Sequence, residues 1–314
     1  MVIAVTPKTQ DRYAGIIRAH LIPAFGMLEL TALQPQRIQS YYSQALKSGR
    51  KDGKGGLSAR TVRYHHMGLY EALKHAVKYG LLIRNVAEAV DPPIPEYKGI
   101  TIIDSDGVRE LLQAAKEMPY HACIFTAVYT GLRRSELLGL RWCDVDLELA
   151  TLSIVQTLHQ TQNGMYVVGK PKTKGSSRMI ALSPSLAILL RGQKQNQELD
   201  RMLLGKPLLP EDLVFSNPDG SPLRPNTVSR AFEKLARSLG LKMRFHDLRH
   251  AHATLMLRQG VHPKIVSERL GHSSVAITLD IYSHVLPGLQ EAAAHQFEEG
   301  LQDGVPDTRV TEVG

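Results

Sequence analysis

A chain of 314 residues is long enough for two hydrophobic cores of about 100 to 200 residues each, and 43% hydrophobic against 22% charged residues can fill them without the charge excess of a disordered protein. No run approaches the roughly 20 apolar residues of a membrane span, and the first thirty residues lack the charged-then-apolar order of a signal peptide, which argues against membrane insertion and for the cytoplasm. The net charge of +8 is uneven, with 14 basic against 7 acidic residues in 1–98, a net +6 in 99–285 and a net −5 in 286–314, as suits a body that holds a polyanion such as nucleic acid and a C-terminus kept off it.

The apolar spacing of the first ninety residues is helical. After Ser58, a suitable N-cap, Val62, Leu69, Leu73 and Ala76 fall on one face at 100° per residue. Arg60, Arg63, Lys74 and Lys78 take the opposite side, with Glu71 among them. That side is either a solvated charged face or a surface for phosphates. The run Asp91-Pro92-Pro93-Ile94-Pro95 disfavours helix and marks a connector. It divides a helical domain, 1–95, from a second domain, 96–286, and a tail, 287–314.

Beyond the connector, Asp104-Ser105-Asp106 can cap a helix over Val108 to Ala115, and Ala122 to Tyr129 reads as a buried helix. From Thr151 to Val168 the residues are β-branched and aromatic around Asn163-Gly164, a hairpin signal. A turn at Thr173 to Ser177 leads to a strand at Met179 to Leu182, which predicts one small three-stranded sheet. Helical patterns return at Ser185 to Leu204, Asn226 to Leu239, Leu248 to Gln259 and Lys264 to Leu270, where Gly271 stops the last. The fold class is therefore mainly α with a small antiparallel β-sheet. Cys123 and Cys143 are too few for a disulfide framework and read as buried thiols. Residues 301–314 read as a frayed tail.

Four stretches concentrate groups that bind phosphate or move protons. In Thr130-Gly131-Leu132-Arg133-Arg134-Ser135-Glu136 the glycine starts a helix whose first turn offers Arg133, and Glu136 three residues on can orient its guanidinium. Lys172 lies at a hairpin turn, with Lys170, Lys174 and Arg178 nearby; such lysines commonly serve solubility, yet a flexible ammonium also suits proton donation. In His246-Asp247-Leu248-Arg249-His250, two imidazoles at i and i+4 with an acid between resemble a zinc-peptidase helix, with Asp one methylene short of the usual Glu. No third ligand follows at the usual spacing, although His252 and His272 are present. The same stretch read as H-x-x-R sets His246 and Arg249 on one face, where both can contact one phosphate. The fourth is Leu270-Gly271-His272-Ser273-Ser274, followed by Asp280-Ile281-Tyr282-Ser283-His284. A tyrosine in a helix is ordinarily a packing residue.

T-G-L-R-R-S-E, a hairpin lysine, H-D-L-R-H and L-G-H-S-S followed by I-Y-S-H, in this order, resemble the signature of the tyrosine recombinases, the phage-integrase family. The resemblance covers about residues 99–286 and extends less specifically to 1–95, which looks like the family's helical core-binding domain. It implies a site-specific DNA recombinase in which Arg133 and Arg249 clamp the phosphate and His246 accompanies Arg249. Lys172 matches the hairpin lysine, with Lys170 and Lys174 close beside it, His272 the histidine-or-tryptophan position and Tyr282 the nucleophile. It further implies no cofactor and no metal, double-stranded DNA recombination sites as partner, a homo-tetramer on DNA with accessory DNA-bending or directionality factors, and a nucleoid-associated location. Gln290 to Glu299 resembles the tail helix that members dock on a neighbouring subunit. Many integrases carry a further small arm-binding domain; residues 1–9 are too short for one, so either the chain belongs to a simpler branch or an arm-binding domain has been removed. An integrase of a phage or mobile element is the reading preferred over a chromosome-dimer resolvase of the same family. The rival classes are a DNA-binding regulator without catalysis, a zinc hydrolase and a type IB topoisomerase.

Overall fold

Helix α1 (Pro7–Ile16) opens the described part of the chain, which in a computed structural model comprises residues 7–96, 103–161, 164–169, 177–282, 294–295, 297–299 and 301. The chain divides into two units, Met1–Gly99 and Ile100–Gly314. In the first, a π-helical turn (Ile17–Leu21) separates α1 from α2 (Ile22–Phe25). Pro23 has no N–H for an i−4 bond, and the wider turn, closed by Ile22 N–H donating to Ile17 O, accommodates it. Helices α3 (Pro35–Ser48) and α4 (Ala59–Lys78) supply most of the core, with Ile38, Tyr42, Val62, Leu69 and Leu73 buried. Each such side chain contributes about 1.5 to 3 kcal/mol of burial free energy.

Ser58 caps α4 as its sequence predicts, accepting from Thr61 N–H at 3.2 Å. The apolar face of α4 also buries His65, whose Nδ1 meets the Tyr41 hydroxyl at 2.8 Å and whose Nε2 has no hydrogen-bond partner. Arg60, Arg63, Lys74 and Lys78 are exposed on the other side, Lys74 lying 4.0 Å from Glu71.

The second unit begins with α5 (Ser105–Ala115), capped by Asp104, then α6 (His121–Thr130) and the short α7 (Arg134–Leu137). Strands β1 (Val145–Asp146), β2 (Thr151–Ile154), β3 (Thr157–Gln160), β4 (Tyr166–Gly169) and β5 (Arg178–Ala181) follow. They form two sheets rather than the single one expected: antiparallel β1-β2-β5, and a separate β3-β4 hairpin. The run from Thr151 breaks at Val155-Gln156. There Gln156 donates to Gly139 O at 2.8 Å, and a Cβ on Gly139 would lie 2.9 Å from Leu158 N, so the glycine lets β3 approach α7 closely. Asn163 lies outside the described residues, whereas Gly164 takes the left-handed conformation the turn needs (φ 81°).

Helices α8 (Pro184–Leu203), α9 (Pro225–Ser238), α10 (Asp247–Arg258), α11 (Pro263–Leu270) and α12 (Val275–Tyr282) complete this unit. Prolines open α8, α9 and α11 one residue ahead of the apolar patterns, because the first helical N–H has no intrahelical partner to lose. Leu111, Ile124, Leu137, Leu152, Leu186 and Phe232 lie in one core. Cys123 is buried there, which raises its thiol pKa, but Cys143 is exposed, contrary to expectation. Its neighbour Trp142 takes the inward place, donating Nε1–H to Gln197 at 2.8 Å. Residues 294–295, 297–299 and 301 are helical within and just beyond the expected tail helix. Among the described residues no helix is long and apolar enough to cross a membrane.

Candidate active site

Two helix ends build the site. Helix α6 stops at Gly131, left-handed at φ 64°, and α11 stops at Gly271, left-handed at φ 66°. Gly131 thus ends a helix instead of starting one, and Arg133 is the N-cap of α7. Neither position tolerates a side chain: a Cβ on Gly131 would lie 2.7 Å from His252 Cδ2, and one on Gly271 2.7 Å from Arg178 Nη1. The last carbonyls of a helix lack intrahelical partners and carry partial negative charge, and here arginines cap them. Arg249, 4% exposed, donates from Nη1 to Gly131 O at 2.9 Å and from Nη2 to Leu270 O at 2.7 Å. Arg133 donates from Nη2 to Gly271 O at 3.1 Å. Two guanidiniums 116 residues apart in sequence are thereby fixed against the end of α11, and Arg249 also against the end of α6.

Glu136, 2% exposed, organises Arg133 from below. It accepts from Arg133 N–H at 3.0 Å and from Arg133 Nη1 at 2.7 Å, the i,i+3 relation expected from sequence. Its second cation was not foreseen as part of the site: Arg178 at the start of β5 donates Nη2–H to Glu136 Oε2 at 2.9 Å and Nε–H to Arg269 O at 2.7 Å. Burial alone would raise the Glu136 pKa, but Arg178 and Arg133 outweigh it and hold the carboxyl below its ordinary value. The carboxylate is therefore ionised and serves both guanidiniums.

His246 precedes α10 and His250 lies one turn on, their rings at 5.3 Å and nearly perpendicular. Desolvation in the crowded site, then His250 and Arg249, lower the His246 pKa to about 4, although the residue keeps an exposed edge. His272 follows Gly271 directly, and its pKa is lowered to about 4 by desolvation and then by Arg249, Arg133 and Arg178. Both imidazoles are neutral near pH 7 inside a positive field. Arg133, His246, Arg249 and His272 are thus brought together from α7, α10 and the end of α11.

The metal reading of the same histidines is not supported by their surroundings. Asp247 is held by Arg244, accepting from its N–H at 2.8 Å and from Nη2 at 3.0 Å. His252 has both nitrogens occupied, Nδ1 with Val128 O at 2.9 Å and Nε2 accepting from Arg269 at 3.2 Å. Among the described residues no group of three or more His, Cys, Asp or Glu is placed to hold a metal ion.

Lys172, with Lys170 and Lys174, lies outside the described residues. The described residues on either side are anchored: Thr157 donates to Gly169 O at 3.1 Å, and Arg178 at the start of β5 donates to Arg269 O at 2.7 Å. Tyr282 is the last residue of α12, its side chain outside what is described. Sequence reasoning also missed Arg269, which ties Ala181 O, Tyr129 O and His252 together beneath the site, and Thr278, whose hydroxyl meets His272 Nδ1 at 2.8 Å. No local pattern announces either.

The profile of the phage integrase family matches residues 101–288, and that of the phage integrase N-terminal SAM-like domain matches residues 1–46. Among curated proteins, a "Tyrosine recombinase XerC-like" protein of Caldanaerobacter subterraneus subsp. tengcongensis is 30% identical over 301 residues, covering 90% of this chain and 75% of the relative. The ICEBs1 integrase of Bacillus subtilis is 27% identical, covering 94% and 78%. Among solved structures, the Tn1549 transposon integrase in complex with a circular intermediate DNA superposes with a TM-score of 0.76 at 18% identity, over 94% of this chain and 95% of that one. A lambda integrase dimer bound to a core site gives 0.63 at 22% identity, over 88% and 72%. At these identities the structural likeness concerns the fold.

Proposed function

We propose, because this chain belongs to the phage integrase family of tyrosine recombinases and is a site-specific recombinase that cuts and rejoins DNA, that Tyr282 is its nucleophile and Arg133, Lys172, His246, Arg249 and His272 complete the catalytic set. The observation that carries the assignment is that Arg249 and Arg133 are both fixed on carbonyls at the end of α11, immediately before His272, with Arg178 and the buried Glu136 behind them. Such a site is positive, organised by backbone carbonyls and one buried carboxylate, and suited to a phosphodiester's single negative charge.

A phosphodiester is inert, so its cleavage needs a nucleophile, stabilisation of the charge on the phosphorane-like transition state and protonation of the departing oxygen. The Tyr282 hydroxyl, ordinarily with a pKa of about 10, gives its proton to neutral His246 and attacks phosphorus. Arg133, Arg249 and His272 hydrogen-bond the non-bridging oxygens, and guanidinium forks do there what a metal ion does elsewhere. The P–O5′ bond breaks and Lys172 gives a proton to the leaving 5′-oxygen, which becomes a free 5′-hydroxyl. The resulting 3′-phosphotyrosyl ester keeps the bond energy, so a 5′-hydroxyl from another strand reverses the step without ATP. Entry of the negative phosphate beside His246 and His272 raises their pKa values, which helps His246 hold the tyrosine proton.

The partners in this reading are two double-stranded recombination sites bound by four copies of the chain, with accessory factors setting direction, in the cytoplasm on nucleoid DNA. Arg60, Arg63, Lys74 and Lys78, exposed on α4, contact phosphates. Integration and excision of a mobile element is the role we favour, supported by likeness to the ICEBs1 integrase; likeness to the XerC-like protein supports resolution of chromosome dimers as the second reading.

The test exposes the protein, in EDTA, to nicked duplexes spanning the flanks of its own gene and to nicked chromosomal dimer-resolution sites. A detergent-resistant protein–DNA adduct is expected with wild type and none with Tyr282→Phe. Equal adduct with both proteins overturns the assignment of the nucleophile, and the duplex that reacts separates the two roles.

A further inference from the structure

Thr278 lies one helical turn before Tyr282 on α12 and is fully buried, an unusual place for a hydroxyl. Its Oγ1 is 2.8 Å from His272 Nδ1, across the junction between α11 and α12. We propose that Thr278 is a positioning residue: its hydroxyl donates to Nδ1 of His272, which leaves the Nε2–H of that ring to donate to the scissile phosphate and ties the phosphate-binding histidine to the helix that carries Tyr282. The inference rests on the catalytic roles proposed above for His272 and Tyr282.

A neutral imidazole has one N–H and one lone pair, and the partner of one nitrogen decides where the proton sits. Phosphate oxygens accept but cannot donate. A neutral His272 that binds them must therefore carry its proton on Nε2, and Nδ1 must accept. The hydroxyl of Thr278 can supply that donor, whereas a carbonyl or carboxylate in its place would draw the proton to Nδ1 and blunt the ring. Burial and the neighbouring guanidiniums, which keep His272 neutral, make the choice of tautomer decisive.

The same bond has a mechanical consequence. Gly271 ends α11 and its carbonyl receives Arg133, while His272 is the next residue. Closing the segment from His272 to Thr278 with a buried hydrogen bond sets the rotation of α12 relative to the guanidinium site. Residue 282, four positions after 278, shares the same helix face. One hydroxyl thus registers donor and nucleophile to each other.

Thr278→Val keeps the shape and removes the hydroxyl; Thr278→Ser keeps the hydroxyl. On nicked duplexes from the gene's flanks, Thr278→Val is expected to slow adduct formation by about tenfold or more, with DNA affinity nearly unchanged, and Thr278→Ser to restore most of the rate. In a His272→Ala background Thr278→Val should cost nothing further, because Thr278 acts through His272. Wild-type rates in Thr278→Val, failure of serine to rescue, or an undiminished effect in the His272→Ala background overturns the inference. On the protein alone, nitrogen–proton correlation spectra, with the His272 signal assigned by His272→Gln, should show the Nε2–H tautomer; Nδ1–H overturns it without reference to any DNA. An adduct formed by Tyr282→Phe would instead count against the underlying reading of the nucleophile.

Discussion

Glu136 shows how one side chain can organise a cationic site from beneath. At 2% exposure an unpaired carboxylate would cost several kcal/mol, and Arg133 and Arg178 offset that cost while Glu136 accepts hydrogen bonds from both guanidiniums. Arg178→Leu should therefore leave a strained site. We expect a loss of about 3 to 5 kcal/mol of stability from breaking the buried pair, seen in urea denaturation, and adduct formation reduced by about tenfold. Arg178→Lys, which keeps the charge and loses the fork, should fall between the two. Stability and cleavage equal to wild type would show that Arg133 holds its place without Arg178. The i,i+3 pair of Arg133 and Glu136 is legible in sequence because helix geometry relates residues three apart. Arg178 is 42 positions from Glu136, and only the packing of β5 against α11 and α7 brings it there.

At the level of elements, the site depends on two left-handed helix ends whose carbonyls would otherwise lack partners. Glycines at 131 and 271 make those ends possible, and Gly271 is readable as a stop from sequence alone. Gly131 is harder to read, since Thr130-Gly131 fits the end of one helix as well as the start of another. In the first unit, α4 carries a different liability. His65 is buried at 0% exposure with Nε2 unpartnered, and desolvation, with His20 beside it, lowers its pKa to about 4. A folded-state pKa below the unfolded value of about 6.5 favours the neutral form in the fold, so stability is complete above that value and is lost as pH falls toward 4. The loss amounts to up to about 3 kcal/mol. Hydrogen exchange of α4 amides between pH 7 and pH 4 should report it, and His65→Gln should flatten the dependence. An unchanged slope in that variant would assign the acid sensitivity to other groups.

For the molecule as a whole, charge and tail carry the argument. The net −5 of residues 286–314 makes that segment a poor ligand for DNA, and Phe297 and Leu301 are exposed, apolar and four residues apart. Our reading of 287–314 as a docking tail predicts that a chain ending at residue 286 binds a single site nearly as well as the full chain and forms the phosphotyrosyl adduct. It should fail to assemble complexes of several copies on paired sites, as native gels and light scattering would show. Normal assembly without the tail would remove it from the interface.

Sequence alone determined the helical character of both units and the caps at Ser58 and Asp104, and it proposed the break near the prolines and the ordered set of candidate catalytic residues. Each follows from local rules, namely helical period, capping chemistry and proline sterics, or from motifs whose members lie within a few positions of one another. Tertiary structure decided the rest. It split the expected sheet in two where Gly139 meets β3, turned Trp142 rather than Cys143 inward, and recruited Arg178, Arg269 and Thr278 around the motif residues. Those outcomes depend on which distant surfaces meet, where burial sets the cost of every unpaired donor and acceptor, and no local spacing records that.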